Sequence, residues 1–199
     1  NLPIVAFALT GYSSVLLWRN MPARCIMSVT HNLAIMNHRN VKVLDIYIAR
    51  ILLEAGGATA SFVILACFFT FIGWLDYPDD IVKIAFGWTM LAIFGASLAF
   101  FLGALSEEYE LVEKLWHPAS YLMFPLSGAA FLVDSLPVAA QKWVLLFPMV
   151  HGVELVREGY FGSKVHAIYD LGYMVASIAV LLVLGLAQIR KIGRTIVPE

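Results

Sequence analysis

Five stretches without a charged residue constrain this chain more than any other feature. A helix needs about 20 apolar residues to cross the hydrocarbon core of a bilayer, with a range of about 17 to 25. The stretches cover residues 2–18, 55–75, 84–105, 118–133 and 171–189, with lengths of 17, 21, 22, 16 and 19. Only 14% of the residues are charged, against about 25% in soluble domains. The composition therefore predicts an all-α integral membrane protein with a single transmembrane domain over residues 1–199.

Basic residues indicate how the spans are oriented. We predict spans at about residues 2–20, 51–75, 84–105, 118–133 and 168–189. Lys and Arg crowd two segments, one before the second span (Arg19, Arg24, Arg39, Lys42 and Arg50) and one after the last (Arg190, Lys191 and Arg194). Cytoplasmic loops carry such an excess. Both segments are therefore expected in the cytoplasm, so the first span runs from outside to inside, and a further helix is expected before it if it is not the first of the protein.

The apolar stretch from residue 118 to 162 cannot form one simple membrane helix. It is interrupted by four prolines and an acid: Pro118, Pro125, Pro137, Pro148 and Asp134. Near its end, His151, Glu154 and Arg157 recur every three residues, so on a helix they lie along one side. His151 and Glu154 could be two metal ligands, but no third ligand is obvious. A polar pair that stabilises a half-buried helix is the favoured interpretation, and the combination suggests a gate.

The cytoplasmic segment of residues 30–42 is predicted to contain a short amphipathic helix. Thr30 or Asn32 would cap its start, and it would end near Asn40. Its apolar positions are Leu33, Met36 and Val41, between polar and basic residues. Such a helix could lie on the membrane surface or dock onto a partner protein. Spacing alone favours the surface helix.

Charged residues near the ends of the spans suggest local pairs. Asp45 is expected at the start of a span, where a carboxylate favours the helix N-terminus. Arg50 and Glu54 are four residues apart and can pair on one helix face. The acids between residues 107 and 113 are predicted to form a solvated face, with Glu110 paired to Lys114.

Small and aromatic residues each leave two interpretations open. Small residues line three segments: Gly56, Gly57, Ala60 and Ser61; Gly95, Ala99 and Gly103; Gly172 and Ala176. Such faces let helices approach closely in lipid, either within one subunit or across a dimer seam. Aromatic residues near span ends, among them Phe68, Phe71, Phe101 and Tyr121, form interfacial belts or line a channel where sugar rings stack.

Motifs of catalysis are missing from the sequence. It has no G-x-x-x-x-G-K-[ST] phosphate loop, no H-E-x-x-H zinc helix and no G-x-S-x-G elbow. We therefore expect no catalytic residue, no metal and no cofactor in this chain. If nucleotide energy drives the protein, another subunit must hydrolyse the nucleotide.

An ordered string of motifs resembles a known family. The motifs are Leu2-Pro3 with Thr10-Gly11, NVKVLD at 40–45 leading to ARILLE at 49–54, FPLSG at 124–128, Leu136-Pro137, and FPMVHGVELVREGYFG at 147–162. Together they resemble the inner-membrane permease of Gram-negative capsular polysaccharide exporters, within the ABC-2 transporter class. The resemblance runs through nearly all of the chain, and the last motif is its most specific part.

The resemblance implies a fold and an assembly. Such permeases, type V exporters, are six-helix subunits that dimerise and bind two copies of a separate ATPase, where ATP and Mg²⁺ are held. About five of the six helices would be present here, without the amino-terminal amphipathic helix and the first span. Residues 30–45 would be the coupling segment that contacts the ATPase, against the surface-helix interpretation. Residues 134–166 would be a periplasmic gate region with re-entrant helices.

The resemblance also implies functional residues, partners and cargo. The ATPase contact would use Asn32, Leu33, Met36, Arg39, Val41 and Lys42. The periplasmic gate, or a contact with a periplasmic partner, would use Phe124, Pro125, Ser127, Gly128, Pro148, His151, Glu154 and Arg157. A lipid-linked polysaccharide would pass through the dimer interface toward a periplasmic co-polymerase or adaptor and an outer-membrane exporter, and no nucleic acid is involved. The alternatives are an ABC-2 exporter of O-antigen, teichoic acid or a drug, and an intramembrane enzyme.

Overall fold

The computed structural model describes residues 3–38 and 41–196 of the 199-residue chain. All regular secondary structure in these ranges is helical, which confirms the predicted all-α membrane fold. The α-helices of this described part are α1 (Ile4–Cys25), α2 (Leu33–His38), α3 (Val43–Ile72), α4 (Ile81–Glu108), α5 (Glu110–Leu126), α6 (Val138–Val144), α7 (Pro148–Phe161) and α8 (Leu171–Ile196). Short 3-10 turns lie at Thr30–Asn32, Val133–Ser135 and Gly162–Lys164.

Three helices in the described ranges, α3, α4 and α8, are long and apolar enough to cross a membrane. Helices α3 and α4 each begin near an aspartate side chain that accepts a hydrogen bond from a backbone N–H. Asp45 accepts a hydrogen bond from the Lys42 N–H at 2.9 Å, and Asp80 caps α4 by accepting from the Lys83 N–H at 2.9 Å. Asp45 thus lies in the first turn of a long helix, as predicted. That α1 and α5 also span the membrane stays a prediction.

Helix α4 is the centre of the bundle, and its small residues explain why. A Cβ at Gly95 would lie 2.8 Å from the Trp18 Cα of α1, and one at Gly103 would lie 2.8 Å from the Tyr47 ring of α3. Ala99 between them is fully buried. The repeat on α4 therefore packs within one subunit. By contrast, nothing lies within 4 Å of a Cβ at Gly56 or Gly57 of α3.

Helix α5 differs from the span expected at residues 118–133. It covers Glu110–Leu126, and both Pro118 and Pro125 lie inside it. The chain then turns at Gly128, whose φ of +81° is a left-handed conformation that glycine adopts without strain. Pro137 and Pro148 behave as expected of prolines at helix starts, since Pro137 precedes α6 and Pro148 is the first residue of α7. Only two of the four prolines thus mark helix boundaries.

Helix α7 packs antiparallel along the outer half of α4. Gly159 lies against Ile84 near the start of α4, and Gly152 lies against Leu91. Leu91 is about 15 Å along α4 from its first residue, at 1.5 Å per residue, and the hydrocarbon core is about 30 Å thick. The first turn of α7 therefore lies about half-way along α4, and that α7 is a re-entrant helix stays a prediction.

At the end of the bundle that is predicted to face the cytoplasm, the predicted ion pair between Arg50 and Glu54 does not form, so that prediction is wrong. Glu54 instead accepts from Arg24 Nε at 3.0 Å, and Arg50 donates to the Arg24 carbonyl at 2.9 Å. Tertiary packing of α1 against α3 brings Arg24 between the two side chains. The surface pair of Glu110 and Lys114 is present at 3.6 Å, as predicted.

Candidate gate and coupling sites

Arg157 is fully buried and binds the turn that follows α5. Its Nη1 donates to the carbonyls of Gly128 and Phe131, and its Nη2 donates to the carbonyl of Ala129 at 2.5 Å. The guanidinium also lies 3.9 Å from the centre of the Phe7 ring of α1. A buried charge is tolerated only when hydrogen bonds and nearby charges replace water. Arg157 therefore ties the turn after α5 to α7 and α1.

Glu154, one helical turn before Arg157, is also fully buried. Its Oε1 accepts from the Val133 N–H, and its Oε2 accepts from the Ile168 N–H, both at 3.3 Å. Val133 precedes α6 in the chain and Ile168 precedes α8. One carboxylate thus joins two loops on opposite sides of α7 in the chain.

His151 completes the row and is 2% exposed. The Asp170 N–H donates to its Nδ1 at 2.9 Å, and its Nε2 lies 2.9 Å from the Leu145 carbonyl. A backbone N–H can only donate, so Nδ1 must be unprotonated and Nε2 must carry the hydrogen. The Tyr173 ring packs edge-on against the imidazole, with ring centres 5.4 Å apart. His151 is therefore held as one neutral tautomer.

Burial governs the protonation of all three side chains. It raises the pKa of Glu154, while the N–H groups of Val133 and Ile168 and the charge of Arg157 oppose this shift. Burial lowers the pKa of His151, against the Leu145 carbonyl and the charge of Asp170. It also lowers the pKa of Arg157 to about 10, which leaves the guanidinium charged at neutral pH. The side-chain hydrogen bonds of His151, Glu154 and Arg157 described above thus all bind their own subunit.

The turn after α5 is shaped to meet Arg157. The Ser127 hydroxyl donates to the Phe124 carbonyl at 2.7 Å and ends the helix. Gly11 of α1 lies opposite, where a Cβ would come 2.8 Å from Arg157 Nη2. Gly11 is not among the predicted site residues, because only the tertiary contact shows that this position must lack a side chain.

The remaining gate candidates lie around this turn and at the start of α7. Phe124 is half-buried and packs edge-on against Tyr12, with ring centres 6.1 Å apart. Pro125 is exposed on α5, and Pro148 opens α7. The structure thus brings Ser127 and Gly128 together with Arg157, and leaves Phe124 and Pro125 on the α5 side.

The described part of the coupling segment is held to the cytoplasmic end of α4. Asn32 Nδ2 donates to the Ser28 carbonyl at 2.6 Å, and Met36 is buried in the main core. Leu33 and Val41 are half-buried, and Lys42 is exposed. Arg39, also assigned to the ATPase contact, lies outside the described residues.

Two acids expected on a solvated face have specific partners instead. Glu107 binds the segment after α1, with Val29 N–H at 2.8 Å from its Oε1. Glu108 pairs with Lys191 of α8 at 2.7 Å. The prediction of a solvated face is therefore wrong for the half-buried Glu107, because the segment after α1 packs over it, whereas Glu108 stays exposed as predicted and forms its ion pair at the surface.

The aromatic candidates do not converge on one channel within this subunit. Phe68, Phe71 and Tyr121 are exposed on the outside of the bundle, and Phe101 is half-buried. Arg19 lies over the Tyr121 ring, 5.2 Å from its centre. Among residues 3–38 and 41–196, no group of three His, Cys, Asp or Glu side chains could hold a metal ion.

Comparison with known proteins decides the family. Residues 35–161 match the family described as ABC-2 type transporter. The chain belongs to this family. The match includes residues 35–45 of the predicted coupling segment, α3 to α6 and all of α7.

Relatives of this ABC-2 transporter subunit align along its whole length. It is 36% identical over 199 residues to the capsule polysaccharide export inner-membrane protein BexB of Haemophilus influenzae. It is 38% identical over 199 residues to the capsule polysaccharide export inner-membrane protein CtrC of Neisseria meningitidis. Each alignment covers 100% of this chain and 75% of the relative. The polysialic acid transport protein KpsM of Escherichia coli is 24% identical over 190 residues, which cover 96% of this chain and 74% of KpsM.

These relatives and the apolar helices agree on where the protein resides. BexB and CtrC are inner-membrane proteins by name, and α3, α4 and α8 are suited to cross a bilayer. This ABC-2 transporter subunit is therefore a multi-pass inner-membrane protein, as the sequence predicted.

Proposed function

We propose that the chain is the permease subunit of an ATP-driven exporter that moves lipid-linked capsular polysaccharide across the inner membrane. The observation that carries this proposal is the alignment of all 199 residues with 75% of two capsule polysaccharide export proteins, at 36% and 38% identity. ATP and Mg²⁺ bind two separate ATPase subunits, and this chain provides the path and the gate without catalysing a reaction.

The path runs between two copies of the chain. A cavity of about 430 Å³ inside this subunit, between α1, α4, α5 and α7, is lined by apolar side chains. Trp18, Phe94 and Leu98 are typical of its walls, which expose almost no polar surface to a sugar. A hydrated polysaccharide therefore needs a path outside the subunit core, which supports the dimer interface as the channel. Phe68, Phe71, Phe101 and Tyr121 are its candidate aromatic residues.

Coupling to the ATPase falls to residues 30–45. Thr30 and His31 are exposed, as is Lys42, at the end of the bundle where basic residues indicate the cytoplasm. Asn32, Leu33, Met36, Arg39 and Val41 complete the proposed contact. Movement of this segment would bias the permease between two packings that differ by a few kcal/mol.

The outer gate consists of α6, α7 and the turn after α5. Arg157 holds this turn through three carbonyls, while Glu154 and His151 hold the segments that flank α6 and precede α8. Opening the gate requires these bonds to be exchanged as a group. A periplasmic adaptor and an outer-membrane exporter would receive the polymer from this side.

Copurification and an export assay together test the proposal. Affinity-tagged protein is purified from the cells that naturally produce it, and surface polysaccharide is measured in a permease deletion strain. We expect equal amounts of ATPase and permease, and restored capsule. Charge reversal at Arg39 and Lys42 should abolish both, whereas Lys142→Glu, on the exposed face of α6, should leave ATPase binding intact.

The outcomes separate the alternatives. Copurification without capsule, but with export of another lipid-linked polymer or a drug, identifies an ABC-2 exporter of different cargo. Absence of any ATPase in the wild-type complex overturns the proposal and returns the intramembrane enzyme as the hypothesis to test.

A further inference from the structure

The cytoplasmic end of α4 holds three consecutive polar side chains that bind different segments. Ser106 is buried, and its hydroxyl accepts from the Met27 N–H at 2.9 Å while donating to the Gly103 carbonyl at 2.6 Å. Glu108 pairs with Lys191 at 2.7 Å and accepts from Gln188 at 2.6 Å. These two residues connect α4 to the segment after α1 and to the end of α8.

Glu107, between them, makes the densest set of contacts. Its Oε1 accepts from the Val29 N–H at 2.8 Å. Its Oε2 accepts from the Thr30 N–H at 3.1 Å and from the Thr30 hydroxyl at 2.6 Å. Hydrogen bonds to an ionised acceptor are shorter and about twice as strong as neutral ones. One carboxylate thus holds both residues that lead into the coupling segment.

The segment after α1 needs these acceptors. Once α1 ends at Cys25, the N–H groups of Met27, Val29 and Thr30 take side-chain acceptors of α4. Met27 has a φ of +52°, a left-handed conformation uncommon for a residue with a side chain. The hydrogen bond from the Met27 N–H to the Ser106 hydroxyl holds this residue in place. The connection between α1 and the coupling segment is therefore shaped by α4.

We propose that Glu107 is a positioning residue that transmits movement of the coupling segment to α4, with Ser106 as its support and Glu108 extending the link to α8. The proposal rests on the proposed function, since it takes residues 30–45 as the contact with the ATPase. Because α7 packs along the outer half of α4, a shift of α4 reaches the gate directly. Glu107 itself need not touch the ATPase or the polysaccharide.

The test compares ATP hydrolysis with export in Glu107→Gln. An amide has one oxygen in place of two and adds an NH₂ group that faces backbone donors, so it cannot hold Val29 and Thr30 together. We expect the purified complex to keep its ATPase content and its ATP hydrolysis, while polysaccharide export per ATP hydrolysed falls about tenfold. A merely structural role would lower complex yield, hydrolysis and export in parallel.

Glu110→Gln is the matched control, because Glu110 is exposed at the start of α5 and pairs only at the surface with Lys114. Export by Glu107→Gln equal to this control overturns the inference and leaves the proposed function standing. If Glu107→Gln does not accumulate, Ser106→Ala decides, because it removes the bond to Met27 and one bond within α4 to Gly103, while Glu107 stays in place. For Ser106→Ala, a loss of export per ATP hydrolysed that is smaller than the loss expected for Glu107→Gln supports the inference. Unchanged export per ATP hydrolysed in Ser106→Ala overturns it. A wild-type complex without ATPase would instead overturn the proposed function.

Discussion

At the scale of single residues, the polar row of α7 shows how buried charge can organise an apolar protein. His151, Glu154 and Arg157 are each at most 2% exposed. Their side chains form hydrogen bonds with backbone groups of the segments around α7. Unpaired N–H and C=O groups cost several kcal/mol at membrane depth. The three side chains therefore satisfy buried backbone groups of the irregular segments beside α7.

Replacement of Arg157 should loosen the turn after α5. Arg157→Gln cannot reach three carbonyls at once, and we expect it to lower the free energy of unfolding by about 3 kcal/mol. Arg157→Lys should rescue only part of this loss, because an ammonium group lacks the planar fork of a guanidinium. Thermal unfolding of the detergent-purified protein measures both. Arg194→Gln, on the exposed face of α8, is the control, and equal melting temperatures for the Arg157 and Arg194 variants would contradict the prediction.

His151 should make stability sensitive to acid. Its pKa is lowered by burial, so its contribution is fully present above the unfolded value of about 6.5 and is lost as the pH falls through the folded pKa. Protonation would direct a second N–H of the ring at the Asp170 N–H. We expect the melting temperature of the wild type to fall more steeply between about pH 7 and 5 than that of His151→Gln.

The exposed His166 provides the comparison for this pH effect. His166→Gln should retain the acid sensitivity of the wild type. If the melting temperature of His151→Gln depends on pH in the same way as those of the wild type and His166→Gln, His151 is not the source of the acid sensitivity.

At the scale of elements, α4 is the helix against which α1, α7 and α8 are placed. Close approach occurs at its own glycines and at those of its neighbours, as at Gly95 against Trp18 and Gly185 of α8 against Phe101. Without a hydrophobic driving force between helices in lipid, such close packing provides much of the attraction. Helix α3, in contrast, has an exposed small-residue face around Gly56 and Gly57.

Two alanine substitutions separate these environments. Gly95→Ala places a methyl group 2.8 Å from the Trp18 Cα, so the backbones must move apart. We expect it to cost about 1–3 kcal/mol. Gly57→Ala meets nothing within 4 Å and should be neutral or stabilising by up to about 1 kcal/mol. Melting temperatures in detergent decide, and a neutral Gly95→Ala would argue against tight packing of α1 on α4.

At the scale of the whole molecule, hydrogen bonds and ion pairs between side chains connect the segments at both ends of the bundle. The cytoplasmic end has Glu107 with Thr30, and the outer end has Lys83 with Glu158 at 3.2 Å. Between them the core is mainly apolar, apart from the polar row of α7 and a few buried hydroxyl groups. The positive-inside rule predicts which end faces the cytoplasm.

Cysteine labelling tests this orientation. In a Cys67→Ser background, where the remaining Cys25 is buried, single cysteines are placed at the exposed positions Tyr77, Lys142 and Glu110. In spheroplasts, a membrane-impermeant maleimide should label Tyr77→Cys and Lys142→Cys at once. Glu110→Cys should react only after lysis. The opposite pattern would invert the assigned topology.

The sequence alone was sufficient wherever local chemistry decides. The apolar stretches predicted the membrane fold, Asp45 predicted the start of a long helix, and the spacing of Glu110 and Lys114 predicted their pair. These features depend on residues within one or two helical turns, so composition and periodicity carry them.

Tertiary structure decided everything that depends on distant partners. It showed that α5 continues through Pro118 and Pro125, that Glu54 pairs with Arg24, and that Glu107 binds residues 77 and 78 positions away in the chain. It also showed that the polar row of α7 binds its own subunit. A buried charge must find its partners wherever packing places backbone groups without water. The sequence by itself therefore determined that this is a helical membrane protein and which family it resembles. The partners of the buried polar groups were decided only by tertiary structure, when α7 packed against α4.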